Sequence, residues 1–210
     1  MMVDTGNIVI IANGEEIKQE IIKNELIDDP IIIAVDGGLF LCKKLNIIPH
    51  YILGDFDSIP AKIIEEYDSS KLIPRLNQNF TDLQKALEFA SSLNPKKIKI
   101  FAATGKRTDH TFANLLTFAS YKGKAILYLF DNYGIMKLHL PGKHLISGKK
   151  GQTISFFSLK SITKLSLLKV KYPIRDINIS GHFFSLSNEF VSDNCLLEFE
   201  KEKIISYIVL

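Results

Sequence analysis

Six short strand-like runs, several of them near-continuously apolar, alternate with segments of helical character, and this constrains the fold of the chain more than any other feature. The runs are 7–12, 31–35, 50–53, 71–74, 97–102 and 125–130. Near-continuous apolar strands of this length belong in a parallel sheet covered on both faces. The intervening segments 15–24, 39–45, 61–67, 82–93 and 109–121 are the helix candidates. In the last of them Phe112, Leu115, Leu116 and Ala119 form a helical stripe. The pattern predicts a doubly wound α/β domain.

After about Asp131 the texture changes. Strand-like runs recur at 135–140, 153–159, 165–170, 194–200 and 204–209, with no helix between them, and Gly142, Gly148, Gly151 and Gly181 punctuate the segment. This predicts a small β-sandwich. The expected domains are therefore 1–132, α/β, and 133–210, all-β.

In open α/β sheets ligands bind beyond the carboxyl ends of the strands. The loops at those ends are Asn13-Gly14, Asp36-Gly37-Gly38, Gly54-Asp55-Phe56-Asp57-Ser58, a segment from Asn77 to Asp82, and a segment from Thr104 to His110. The opposite ends carry ordinary turn chemistry. Asp55 and Asp57, two residues apart after a glycine, resemble a hard-cation site. Like charges at about 4 Å repel by roughly 4 kcal/mol at an effective dielectric near 20, and Mg²⁺ is the usual compensation.

Each loop also has a plainer reading. Asp36-Gly37-Gly38 fits a turn. Asp57 or Ser58 could cap a helix opened by Pro60, and Thr108 or Asp109 could cap the last helix. Thr81 with Gln84 fits a capping box, which is the better reading of that segment taken alone. The functional reading rests on coincidence: Asp36, Asp55, Asp57, Asp82 and Asp109 fall on four loops of one edge. Such a concentration of carboxylates calls for a cation or a cationic substrate. Arg107 adds a fork suited to phosphate oxygens, and the glycines allow backbone to approach a phosphate closely. Magnesium, a polyphosphate and a phosphoryl-type transfer follow.

Other classes are disfavoured. A net charge of +3 gives no footprint for nucleic acid or anionic membrane. The two cysteines, Cys42 and Cys195, and five scattered histidines offer no zinc spacing, and a reduced, cytoplasmic setting is the simplest expectation. The first apolar run reads as a strand, not as a signal peptide or a spanning helix.

In this order, Asp36-Gly37-Gly38, Gly54 to Ser58, Thr81-Asp82 and Gly105-Lys106-Arg107-Thr108-Asp109-His110 resemble the motifs of the thiamine pyrophosphokinases. Lys171-Tyr172-Pro173-Ile174 and Ser187-Asn188-Glu189 resemble segments of that family's β-rich half. Bacterial members often carry Lys-Asp before Thr-Asp, where Gln78 and Asn79 stand here. The resemblance implies transfer of a diphosphoryl group from ATP to thiamine, giving thiamine diphosphate and AMP. It implies Asp55, Asp57 and Asp82 on Mg²⁺ and the phosphates, with Arg107 and Asp109 completing the catalytic set. Asp36, Gly37, Gly38, Thr81, Gly105, Arg107 and His110 would line the nucleotide side. Ser187, Asn188 and Tyr172 would contact thiamine; the chain has no Trp, so aromatic contact must come from Tyr or Phe. A homodimer is implied, each thiamine site combining the α/β domain of one subunit with the β domain of the other. Two rivals stand beside this. One is a haloacid-dehalogenase-like phosphatase using Asp55-Phe56-Asp57, although those enzymes place the motif on their first strand. The other is a nucleotide- or thiamine-binding protein without turnover.

Overall fold

The computed structural model describes residues 6–57, 59–74 and 79–210. Ser58, and Asn77 and Gln78 of the fourth loop, lie outside the described residues. The chain divides into two compact units, Met1–Asn132 and Tyr133–Leu210.

The first unit carries β1 (Asn7–Ile11), α1 (Gln19–Asn24), β2 (Ile31–Val35), α2 (Gly38–Lys44), β3 (Tyr51–Gly54), α3 (Ala61–Ile64), β4 (Leu72–Pro74), α4 (Asp82–Ser92), β5 (Lys97–Phe101), α5 (Thr108–Ser120) and β6 (Ile126–Phe130). The strands lie in the order β6-β5-β1-β2-β3-β4, and every pairing among them is parallel. Successive strands run outward from β1 on one side, and the chain then crosses to β5 on the other. The topological switch point is therefore between β1 and β5, where α/β sheets hold ligands. Ile8, Val9, Ile10 and Ile11 are fully buried, as are Ile33, Ala34, Ile52, Leu53, Ile98 and Ile100. Burial on both faces explains why β1, β2 and β3 read as near-continuous apolar runs, whereas β5 alternates with Lys97 and Lys99.

Two helices are shorter than their sequence spans. α1 starts at Gln19 because 15–18 is loop, with the Glu15 N–H bonded to the Thr104 carbonyl at 2.7 Å and the Lys18 N–H bonded to Asn132 Oδ1 at 2.8 Å. α3 stops at Ile64 and passes into turns through Tyr67.

The second unit carries β7 (Gly134–His139), β8 (Gly142–Ser147), β9 (Thr153–Ser158), β10 (Ile162–Leu168), β11 (Ile174–Ile179), β12 (Phe183–Glu189), β13 (Asn194–Glu200) and β14 (Ile204–Val209). They form two antiparallel layers, β12-β9-β14-β7 and β11-β10-β13-β8. One cluster fills the space between the layers: Phe156, Ile154 and Ile204 from the first with Leu165, Leu167, Leu197 and Phe199 from the second. This is the expected sandwich, with three strands more than the sequence pattern suggested: β8, β11 and β12.

Candidate active site

At the carboxyl end of β1 the chain is stitched to the end of β5. Ala12 and Gly14 donate backbone N–H bonds to the Phe101 and Ala102 carbonyls at 2.9 and 2.5 Å. Lys106 reaches back from the β5 loop and donates to the Asn13 carbonyl at 3.1 Å and to Asn13 Oδ1 at 3.2 Å. The Asn13 side chain in turn occupies the space that a Cβ at Gly37 would need, and a Cβ at Gly38 would collide with the Ile11 carbonyl. Three loops therefore close on one another at the switch point, and side-chain-free backbone at Gly37 and Gly38 permits it.

Asp36 ends β2 in a left-handed conformation, φ +45°, with its N–H bonded to the Leu53 carbonyl at 2.9 Å. Its carboxyl lies against Gly54, where any Cβ would overlap Oδ1. That Oδ1 is buried and has no hydrogen-bond partner among the described residues. Burial foremost, then the charges of Asp82 and Asp55, push the Asp36 pKa up from 3.8 to about 6, while Lys85 and the Phe56 backbone N–H pull the other way. Asp36, Asp55 and Asp82 thus share one electrostatic neighbourhood, although they come from three loops.

Local hydrogen bonding shapes the β3 loop. Phe56 is left-handed at φ +65°, the Asp57 N–H donates to Asp55 Oδ1 at 3.2 Å, and the Ile59 N–H returns to the Phe56 carbonyl at 3.0 Å. Asp57 does not cap the following helix: the residue at that position is Pro60, with no side-chain cap. At α4 the capping box is present, with Gln84 N–H donating to Thr81 Oγ1 at 3.3 Å and Thr81 N–H to Gln84 Oε1 at 2.8 Å. The Thr81 hydroxyl is therefore committed to its helix, and Asp82 projects from the first turn with a half-exposed side chain paired to Lys85 at 3.0 Å.

Arg107 and Asp109 form a two-pronged pair, Nε to Oδ1 at 3.1 Å and Nη2 to Oδ2 at 2.6 Å, on an exposed surface. Each holds the other charged, so the Asp109 carboxyl sits below its usual range. Asp109 Oδ1 also accepts the His110 N–H at 2.9 Å; the helix itself starts from Arg107 without a side-chain cap. Gly105 is left-handed, φ +79°, packed against Glu15, and its carbonyl accepts from Thr111 Oγ1 at 3.1 Å.

In the second unit Ser187 is exposed and left-handed, φ +51°, within a register shift of β12 against β9. Its N–H donates to Ser155 Oγ at 3.0 Å. Asn188 is fully buried. Its Oδ1 accepts from the Tyr172 and Glu189 N–H groups, and its Nδ2 donates to the Tyr172 carbonyl and Ser185 Oγ. Those four bonds use the whole capacity of the amide. The expectation that Asn188 touches a ligand is therefore revised: its side chain holds the exposed Tyr172 in place, while Ser155 fixes Ser187.

Sequence reasoning gave no role to Lys85, Asn13 or Lys106. Lys85 had one legible signal, a cation three residues after Asp82 among the apolar Leu83, Ala86 and Leu87. The stitching by Asn13 and Lys106 depends on a contact across 93 residues and had none. The carboxylates are all hard oxygen donors, and the orphaned Asp36 Oδ1 sits among them, which suits Mg²⁺. Among the described residues, though, no three His, Cys, Asp or Glu side chains converge as a ready metal-holding group. An ion here would draw its remaining ligands from phosphate and water.

The family model described as the thiamin pyrophosphokinase catalytic domain matches residues 22–129, and that of the thiamin pyrophosphokinase vitamin B1 binding domain matches 143–204. A thiamine pyrophosphokinase of Bacillus subtilis (strain 168) is 31% identical over 180 residues, covering 82% of this chain and 84% of that protein. A crystal structure of thiamine pyrophosphokinase from Bacillus subtilis superposes with a TM-score of 0.84 at 26% identity, over 97% of this chain and 98% of that one. A thiamin pyrophosphokinase from Candida albicans shares the fold, with a TM-score of 0.80 at 21% identity over 98% of this chain and 89% of that one. These likenesses give no support to the phosphatase or to a binding protein without turnover. With both units matched in order, the chain belongs to the thiamine pyrophosphokinase family and is a diphosphotransferase.

Proposed function

We propose that the chain moves the diphosphoryl group of ATP to the hydroxyl of thiamine, in one step, with AMP as leaving group. The observation that carries this is the shared neighbourhood of Asp36, Asp55 and Asp82 at the carboxyl edge of the parallel sheet. Residues 1–132 are the catalytic unit; residues 133–210 bind thiamine and dimerise. The new bond joins the thiamine oxygen to the β-phosphorus, and the bond to the bridging oxygen of the α-phosphate breaks. The hydroxyl proton goes to a carboxylate oxygen of Asp57 or Asp82. Asp55, Asp57 and Asp82 would hold Mg²⁺, whose charge offsets that of the polyphosphate.

The protein's own part is positioning and electrostatics. The backbone at Gly37, Gly38 and Gly105, with Asp36, Thr81 and His110 beside it, lines the nucleotide side at the switch point. Arg107, pre-aligned by Asp109 through Nε and Nη2, presents its remaining Nη1 and Nη2 hydrogens to phosphate oxygens. Ser187, held by Ser155, and Tyr172, held by Asn188, meet thiamine from a second subunit. The setting is cytoplasmic, with no nucleic-acid or membrane partner; among the described residues no helix is long and apolar enough to cross a membrane.

Incubation with ATP, Mg²⁺ and thiamine tests the reading. AMP and thiamine diphosphate in equal amounts are expected. ADP as the nucleotide product would make the chain a simple kinase, and no thiamine-dependent turnover would sink the proposal.

A further inference from the structure

Lys85 is the buried cation of the α4 first turns, with 4% of its surface exposed. An ammonium taken out of water is costly unless paired and hydrogen-bonded. Its bond goes to Asp82 Oδ1 at 3.0 Å, and Asp82 lies at the boundary with solvent, its side chain 48% exposed. The backbone beneath the pair is fixed independently: the Lys85 N–H bonds the Thr81 carbonyl at 3.0 Å, and the capping box closes the turn. The Asp82 side chain is therefore oriented by Lys85 rather than by the cap. Lys85 also acts on Asp36, opposing the effect of Asp55 and Asp82 there. One internal positive charge thus faces the carboxylates that would otherwise only repel one another.

We propose that Lys85 is a positioning residue, a resident counter-cation that fixes Asp82 and lowers the affinity of the carboxylate edge for a divalent ion. This rests on the reading of Asp55, Asp57 and Asp82 as the magnesium-holding set. An ammonium bonded to Asp82 competes with Mg²⁺ for that carboxylate and repels it at short range. The benefit is geometric: Asp82 is already aligned when nucleotide and metal arrive together, and metal without nucleotide is held weakly.

The test is Mg²⁺ binding alone, without ATP or thiamine, followed by calorimetry and by the Mg²⁺-dependent rise in melting temperature. Lys85→Met should bind Mg²⁺ on the order of tenfold more tightly than wild type, since a repelling charge is gone. Its kcat should fall by about tenfold or more, with a smaller change in KM for thiamine, since Asp82 is no longer aligned. Lys85→Arg, which keeps the charge and the bond, should retain wild-type Mg²⁺ affinity. Lys85→Gln serves the same comparison if Lys85→Met fails to fold. A variant with lower melting temperature but unchanged Mg²⁺ affinity and kcat would make Lys85 a purely structural lysine and overturn the proposal. Wild type that binds no Mg²⁺ at all would remove the metal reading itself, and Lys85's role with it.

Discussion

In the first unit the residues of interest sit in loops held over the end of a rigid parallel sheet; in the second they sit in or beside an antiparallel strand whose own pairing is broken to present them. Asp36, Asp55 and Asp82 are brought together by β2, β3 and α4, elements from separate stretches of chain. Ser187 is displayed on β12 by a register shift against β9, with Asn188 buried beside it. The charge differs too: the first unit has 15 Lys and Arg against 17 Asp and Glu, the second 11 against 6. An acidic edge suits a metal–nucleotide complex. The lesson is that an assembled site depends on close approach between loops far apart in the chain, whereas a displayed site depends on its local hydrogen bonds.

The largest expected effect separates chemistry from display. Asp57→Asn should lower turnover by roughly 10²-fold or more, with the melting temperature unchanged or raised because a repulsion is relieved. Ser187→Gly combined with Tyr172→Ala should raise KM for thiamine, glycine being at ease in the left-handed conformation at 187. If each site is shared between subunits, mixing the two impaired proteins at a thiamine concentration below the raised KM restores part of the activity. No rescue after confirmed subunit exchange would count against the shared site.

Two substitutions of intermediate effect compare the supports. Gly54→Ala forces a methyl onto the Asp36 carboxyl and should cost roughly 1–3 kcal/mol by overpacking, with activity lost at the nucleotide side. Asn188→Ala strips partners from Tyr172 and Glu189 and should cost about 2–4 kcal/mol, read by chemical denaturation. If Gly54→Ala left stability intact, the Asp36–Gly54 contact would not be the constraint assigned to it.

The smallest effect is a divergence in pH response. Buried His139, bonded through Nε2 to Ser206 Oγ at 2.8 Å, has its pKa lowered to about 3 by burial, then by His144 and Lys137. Between that value and an ordinary 6.5 the unfolded chain binds the extra proton, so stability rises with pH, by at most about 1.4 kcal/mol per pH unit. Asp36 is raised from 3.8 to about 6, so in that window the folded state holds the extra proton and stability falls as pH rises. The two units therefore oppose each other between about pH 4 and 6. His139→Leu should remove the rising component and expose the falling one; parallel profiles for wild type and variant would contradict it.

The same contrast explains what the sequence reveals. In the first unit β2 falls on its apolar run to the residue and the other strands within one residue at each end, because strands buried on both faces carry few polar positions and Lys97 and Lys99 of β5 leave its alternation clear. In the second unit β8, β11 and β12 escape notice. β11 has its central residues exposed, and β12 changes phase at its bulge, so neither shows a clean alternation. The motif residues around Asp36, Asp55 and Asp82 were legible as chemistry at strand ends. Lys85 carried only its spacing from Asp82, because a lysine on a helix reads as solvated until its neighbours are known to be core. Asn188 was legible as polar but not as saturated, since its partners other than the adjacent Glu189 are 3 and 16 residues away.

The irregularity at Ser187 has a further consequence for solubility. β12 and β11 are outer strands of their layers. A regular outer strand with Phe184 and Leu186 exposed would offer a ready template for stray strands during folding. The left-handed turns at Ser187 on β12 and Asp176 on β11 interrupt that template at both borders. A variant that deletes Ser187 would heal the ladder and, for that reason, leave a stickier protein.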